Sequence, residues 1–231
     1  MPKIITLMPT RGLIFTKAQQ ALEEELLKNN QVPYILRTDN QPIPDCRNTL
    51  VEQALKTPAT HFLLMDDDVI MPEGGLKAMI DLDTDIAFID YPMHYTGDKW
   101  GEMGTATFDE YLPGDDTDGK PVAWAGLGCT LVKREVFENL PSPWFQVFQK
   151  SFTRDENGHI TINDDELSFG GGGEDVYFML EAKKKGYKVE IVHGMAAGHA
   201  RLVRPVLALQ EDKYKVQHEI RVNSFIKQQY R

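Results

Sequence analysis

The run His61-Phe62-Leu63-Leu64-Met65 ends in three consecutive carboxylates, Asp66-Asp67-Asp68, and that junction restricts the chain more than any other stretch. A short apolar run closed by charge and by Pro72 reads as a parallel strand buried on both faces, and α/β folds gather ligands at the carboxyl ends of such strands. Side chains alternate along extended backbone, so Asp66 and Asp68 project to one side if the strand persists through them. Two like charges held that close repel. A hard divalent cation, Mn²⁺ or Mg²⁺, is the simplest compensation, because it takes carboxylate oxygens and completes its shell with water and phosphate oxygens. Taken alone, the triplet equally suits a turn cap or a solvated loop.

A chain of 231 residues, 42% of them hydrophobic, can bury a substantial core in one large domain. Its net charge of −10 argues against nonspecific binding to a polyanion. The charge is uneven: from His199 onward, basic residues outnumber acidic ones, which suits either a phosphate-rich partner or a solvated helix face. Two cysteines, Cys46 and Cys129, have neither metal-site spacing nor the density of a disulfide scaffold, and a reduced cytoplasmic setting fits. The N-terminus lacks the pattern of a signal peptide, and no apolar stretch reaches the length of a membrane span.

Taken in order, Ile4 to Met8 read as a first strand, and Pro9-Thr10-Arg11-Gly12 as a polar turn at its carboxyl end, where Thr10 and Arg11 are placed to grip a nucleotide. A helix follows, with Ala18, Leu22 and Leu26 on its apolar face, and then a second strand from Tyr34 to Thr38. Asp39 after it suits a ribose or uracil contact, or simply a turn. Asp45 reads as the N-cap of a helix running to about Lys56, which puts Arg47 and Asn48 in its first turn. A cation there opposes the helix macrodipole, so Arg47 is expected to face an anionic ligand.

A fourth strand ends near Asp90, and residues 96 to 121 form an acid-rich surface excursion or hairpin. Val122 to Lys133 reads as a strand interrupted by Gly126 and Gly128, where a ligand or another backbone can approach closely. The aromatic residues from Trp144 to Phe152 make either a lid or ordinary core. Four glycines, Gly170 to Gly173, precede Glu174-Asp175, which open a helix closed by Lys183-Lys184-Lys185-Gly186. By themselves these two acids need only be helix-start charges. A last strand, Tyr187 to Val192, leads to His199 among small residues, and Pro205 to Tyr230 are expected to be helical and basic.

In this order the blocks resemble the GT-A glycosyltransferases, most closely the family 2-like branch that uses nucleotide-sugar donors. The resemblance covers roughly residues 3 to 200. It rests on Asp66-Asp67-Asp68, similar to the family's Asp-x-Asp signature; on Gly173-Glu174-Asp175, similar to its x-Glu-Asp motif; and on His199, similar to its C-terminal metal-binding histidine. The resemblance implies an α/β, Rossmann-like, mostly parallel sheet flanked by helices. Residues 1–200 would be the catalytic domain and 201–231 a helical, basic extension packed on it.

By the same resemblance, Asp68 and His199 would ligate the metal, with Asp66 contacting the donor ribose or joining the metal shell. Asp67, the middle of the triplet, is grouped with the donor-binding residues but is expected to point away. Arg47, Asn48 and Arg11 would serve the diphosphate side, and Gly126 and Gly128 would line the donor sugar. His193 is the rival to His199, set closer to the strand end. Asp175 would deprotonate the acceptor hydroxyl, with Glu174 orienting the acceptor or taking that role.

The implied activity is metal-dependent transfer of a sugar from a UDP- or GDP-linked donor to a hydroxyl. The acceptor would be a glycan or lipid-linked oligosaccharide, a protein, or a hydroxymethylated base in viral DNA. Two other classes compete. A sugar-phosphate nucleotidyltransferase would also place Asp-bound Mg²⁺ on an α/β sheet, but requires a richer basic glycine loop than Pro9-Thr10-Arg11-Gly12. A non-catalytic sugar- or nucleotide-binding module would have no need of the full carboxylate set.

Overall fold

The computed structural model describes residues 2–10, 12, 14–38, 41–92, 105, 107–108, 122–147, 150–154, 160–167, 173–202, 206–210, 213–217 and 220–222. The N-terminal part alternates strand and helix: β1 (Ile4–Pro9), α1 (Thr16–Lys28), β2 (Ile35–Thr38), α2 (Ile43–Ala54) and β3 (His61–Met65). Then come β4 (Val69–Ile70), α3 (Gly75–Asp81), β5 (Ile86–Phe88), β6 (Thr107–Phe108), β7 (Val122–Trp124), β8 (Cys129–Lys133) and α4 (Arg134–Asn139). The last third holds β9 (Lys150–Arg154), β10 (Ile160–Leu167), α5 (Glu174–Lys184), β11 (Val189–Ile191), β12 (Gly198–Leu202), β13 (Val206–Gln210), β14 (Lys213–Gln217) and β15 (Ile220–Val222).

Six strands form the central sheet in the order β11-β5-β8-β3-β1-β2. Strand β1 runs parallel to both β2 and β3, and β11 runs parallel to β5. Strand β8 is antiparallel to its neighbours β3 and β5, so five strands share one direction and β8 alone opposes them. The expected mostly parallel, helix-flanked α/β sheet is what the chain forms.

Alternation along the central strands explains the layering. Ile5, Leu7, Phe62 and Leu64 pack with Leu50, Val51 and Ala54 of α2, Phe137 of α4 and Phe178 and Met179 of α5. Their sequence neighbours Ile4, Met8, Leu63 and Met65 pack on the opposite face with Leu22 and Leu26 of α1 and Leu76 and Met79 of α3. Period-two side chains buried on both faces make a three-layer sandwich, which is why these strands read as continuous apolar runs.

Three readings need correction. Asp45 does not cap α2: that helix begins at Ile43 after Pro42, and Asp45 lies inside its first turn. Pro42 stands at the N-cap and Pro44 within the first turn, where a missing N–H would have had no helical partner. The Val122–Lys133 strand is two strands, β7 pairing with β6 and β8 entering the central sheet, with Ala125–Gly128 between them. The helical extension expected after residue 200 is, among the described residues, β-structure over β12 to β15, with β13 and β14 paired antiparallel. Val206-Leu207-Ala208-Leu209 and the alternating Tyr214 and Val216 fit a hairpin, and the charge count had obscured that pattern.

The aromatic residues after α4 belong mainly to the core. Phe137 stacks on Phe62 and on Phe178 at centroid separations of 5.4 and 5.2 Å, and Phe145 meets Phe178 at 5.1 Å. Trp144 Nε1 donates to the carbonyl oxygen of Phe137 at 2.9 Å, which satisfies the one polar atom its burial would strand. Phe148 lies outside the described residues. Because Phe137 joins α4, α5 and β3 in one cluster, Phe137→Ala is expected to lower stability by about 3–5 kcal/mol in urea unfolding.

Candidate active site

The carboxyl ends of β3 and β5 and the Ala125–Gly128 segment leading into β8 meet at one edge of the sheet, and backbone hydrogen bonds knit them. The Asp66 N–H donates to the Gly128 carbonyl at 3.1 Å, and the Ile89 N–H to the Cys129 carbonyl at 3.0 Å. The extended backbone stops at Met65, and Asp67 and Asp68 lie in a turn before β4. Asp66 and Asp68 therefore do not continue the alternation of the strand. Each meets its own partner.

Asp68 faces His199. Strand β12 pairs antiparallel with β4, opposing His199 to Val69 and Gly198 to Ile70, and the Ala200 N–H donates to the Asp68 carbonyl at 2.7 Å. Gly198 permits that approach, since a Cβ there would lie 3.2 Å from Ile70 Cβ. The pairing sets His199 Nε2 3.3 Å from Asp68 Oδ2 and His199 Nδ1 2.8 Å from the carbonyl oxygen of Pro92. A carbonyl only accepts, so Nδ1 carries a hydrogen and Nε2 is the atom presented to the carboxylate. A proton on Nε2 makes this an ion pair. A divalent cation is the alternative occupant, because two ligands each about 2.1 Å from one ion lie about 3 Å apart at a right angle. Among the described residues no three His, Cys, Asp or Glu side chains converge as a complete metal cage. The pair supplies two of the ligands a hard divalent cation would need, the rest falling to water or substrate oxygens. His193, the rival, lies in an exposed turn six residues earlier.

Asp66 turns to Arg47, whose Nη2 donates to Asp66 Oδ1 at 2.7 Å while its Nε donates to Glu174 Oε1 at 3.2 Å. Burial opposes the guanidinium charge, yet Asp66 and Glu174 outweigh it and hold the Arg47 pKa above its ordinary value. Burial pushes the Asp66 pKa up, against the pull of Arg47. The expectation that Arg47 faces an anionic ligand from a first turn is corrected: it lies one position beyond that turn, its side chain is 4% exposed, and its anions are the chain's own. Asn48 also turns inward, its amide bonding both the carbonyl and the N–H of Phe145.

At the start of α5, Asp175 Oδ1 accepts the Val176 N–H at 2.8 Å, and burial, with Glu174 beside it, raises the Asp175 pKa to about 6. Gly173 precedes it as the N-cap residue, and a Cβ at that position would stand 2.8 Å from Asp175 Oδ1. Thr10 Oγ1 accepts the Gly12 N–H and shapes the turn after β1. The Asp67 carbonyl accepts the Phe15 N–H, which ties the triplet to the entry of α1. Arg11, Asp39 and Gly170 to Gly172 lie outside the described residues.

Sequence reasoning passed over Asp90 and Tyr91. Asp90 Oδ1 accepts hydrogen bonds from the Tyr91 N–H, the Thr105 N–H and the Thr105 hydroxyl, at 2.9, 2.7 and 2.8 Å. The Tyr91 hydroxyl accepts the Gly128 N–H at 3.2 Å, and its ring meets His199 edge-on at 5.4 Å. Burial and Asp66 hold its phenol well above the usual range, so it remains a neutral hydroxyl. The available signal was position, since both residues directly follow a parallel strand at its ligand-gathering end.

Tyr91 also explains the two glycines. A Cβ on Gly126 or Gly128 would stand 2.5 or 2.7 Å from the Tyr91 hydroxyl, and on Gly128 also 2.8 Å from Asp66 Oδ2. Gly128→Ala is therefore expected to displace Asp66 or Tyr91 and to cost about 1–3 kcal/mol in denaturant unfolding.

No protein-family model and no curated protein matches the chain. Solved structures do. A197 from STIV superposes with a TM-score of 0.55 at 18% identity, covering 94% of this chain and 95% of that one. A glycosyltransferase involved in the glycosylation of the major capsid of PBCV-1 gives a TM-score of 0.35 at 18% identity, over 62% of this chain and 69% of that one. S. aureus TarS 1-349 gives 0.44 at 13% identity, over 84% and 59%. The latter two overlap too loosely to carry an argument. What the chain shares with A197 is a mixed α/β fold.

Proposed function

We propose that the chain is a metal-dependent glycosyltransferase that moves a sugar from a nucleoside diphosphate donor to an acceptor hydroxyl with inversion at the anomeric carbon. The observation that carries this reading is the Asp68–His199 pair, one carboxylate and one oriented imidazole set 3.3 Å apart at the carboxyl edge of an α/β sheet. A pair that holds a cation only in part suits a metal that arrives with, or is completed by, a diphosphate. When bound, Mn²⁺ or Mg²⁺ would neutralise the charge that grows on the departing diphosphate.

The chain's own residues supply the rest. Asp68 and His199 would hold the cation, and the His199 Nδ1 bond to Pro92 leaves Nε2 as the ring nitrogen facing Asp68. Asp66 is 28% exposed and anchored through Oδ1, which leaves Oδ2 for a donor hydroxyl. Asp175 is the base. Its oxygen takes the acceptor proton as the hydroxyl oxygen bonds to the anomeric carbon and the carbon–oxygen bond to the diphosphate breaks, the electron pair leaving with the nucleotide. A carboxylate with a pKa near 6 is ionised at neutral pH and still a better proton acceptor than an ordinary aspartate. Glu174, already bound to Arg47, orients the start of α5 instead of accepting the proton. Thr10, the turn after β1 and Gly126 to Gly128 border the donor side.

The reading is tested by a panel of UDP- and GDP-sugars with Mn²⁺, following nucleoside diphosphate release with glycan, lipid-linked, protein and hydroxymethylated DNA acceptors. No release from any donor, together with no metal-dependent nucleotide binding, would overturn it. Asp68→Asn and His199→Ala are each expected to weaken Mn²⁺ binding by about 10- to 100-fold in isothermal titration. Removing the base by Asp175→Asn is expected to lower the transfer rate by about 10²- to 10⁴-fold while donor binding stays. In the wild-type protein the rate is expected to rise with pH through about 6 and then level off, because Asp175 accepts a proton only once ionised.

A further inference from the structure

Arg47 meets the site from behind. Its side chain is 4% exposed, whereas the two carboxylates it holds, Asp66 and Glu174, are 28% and 19% exposed. A ligand entering this edge of the sheet meets the more exposed carboxylates before the buried guanidinium. The two carboxylates come from the end of β3 and the start of α5, so a single side chain of α2 spans both halves of the site.

The third nitrogen sharpens the point. Arg47 Nη1 is buried with no hydrogen-bond partner among the described residues. Stability alone would not favour such a group, because a buried unsatisfied donor is costly and apolar replacement of a buried ionic bridge is often neutral or stabilising. Departures of this kind from a well-satisfied interior concentrate where a fold serves a function. Arginine also suits such a bridge better than lysine does. Its planar fork can fix two acceptors at a set spacing, whereas a lysine ammonium is a single point charge on a flexible stem.

We infer that Arg47 is a positioning residue that touches neither donor nor acceptor and sets the spacing between Asp66 on the donor side and the first turn of α5, which carries Asp175. The bridge itself follows from the geometry; what it positions rests on the transferase reading.

The test compares Arg47→Lys, Glu174→Gln and the double variant in the full chain. With the donor found in the panel and saturating Mn²⁺, Arg47→Lys is expected to lower kcat by about 10-fold or more while donor KM stays within about threefold. The double variant is expected to fall no more than about twofold below Arg47→Lys, because both changes break the same link. In ligand-free protein, hydrogen exchange of the Val176, Tyr177 and Phe178 amides is expected to quicken in Arg47→Lys, with the centre of β1 unchanged.

A raised donor KM with kcat preserved would overturn the inference in favour of direct phosphate contact. Losses that multiply in the double variant, or unaltered exchange at α5, would also overturn it. Should Arg47→Lys fail to fold, Glu174→Gln alone decides, since it must quicken exchange at α5 and lower kcat at unchanged donor KM. If the wild-type chain turns over no donor, the transferase reading falls, and the exchange comparison still decides whether the bridge positions α5.

Discussion

Four carboxylates, Asp66, Asp68, Glu174 and Asp175, are gathered around one end of the sheet, and their mutual repulsion is the constraint the site is built to manage. The chain answers it in two places. One guanidinium, drawn from the helix behind the sheet, serves Asp66 and Glu174. One imidazole, brought in by a late strand, serves Asp68. Asp175 is bonded to neither, and burial, with Glu174 beside it, raises its affinity for a proton. The same local charge thus yields an anchored acid, an acid facing an imidazole and a basic acid, separated by what surrounds each.

Much of the fold was legible because its signals are local and redundant. The apolar runs at Ile4, His61 and Ile86, and the helical spacing between them, follow from burial on both faces of a parallel sheet, and the structure keeps them. The single reversed strand was not legible, since β8 is as apolar as its neighbours and direction leaves no mark in composition. The tail failed for a related reason. Charge balance drew attention away from the period-two pattern of Val206 to Val216, which pairs as a hairpin.

At the site, sequence order identified the acidic triplet, Glu174-Asp175 and His199 as one group, but not which side chains would meet. Which carboxylate faces Arg47 depends on where β3 stops, and the turn at Asp67 and Asp68 decides that. Arg47 itself was read from its place near a helix start, whereas its direction is settled by acids far along the chain. Tyr91 was passed over because an aromatic residue after a strand is ordinary core by default. Its closeness to Gly126 and Gly128, with Thr105 and Asp66 beside them, shows why those positions lack side chains.

Strand β12 joins β4 through two residue pairs, Gly198 with Ile70 and His199 with Val69. Its rung closes the Asp68–His199 pair by joining segments far apart in the chain, so the pair cannot exist in any folding intermediate that lacks the last third. Opening that short rung is a far smaller event than unfolding the central sheet, and it would part the two side chains at once. If the pair holds a cation as proposed, its release would report the breathing of one short ladder, and its binding would hold the late strand to the early one as a removable fastening.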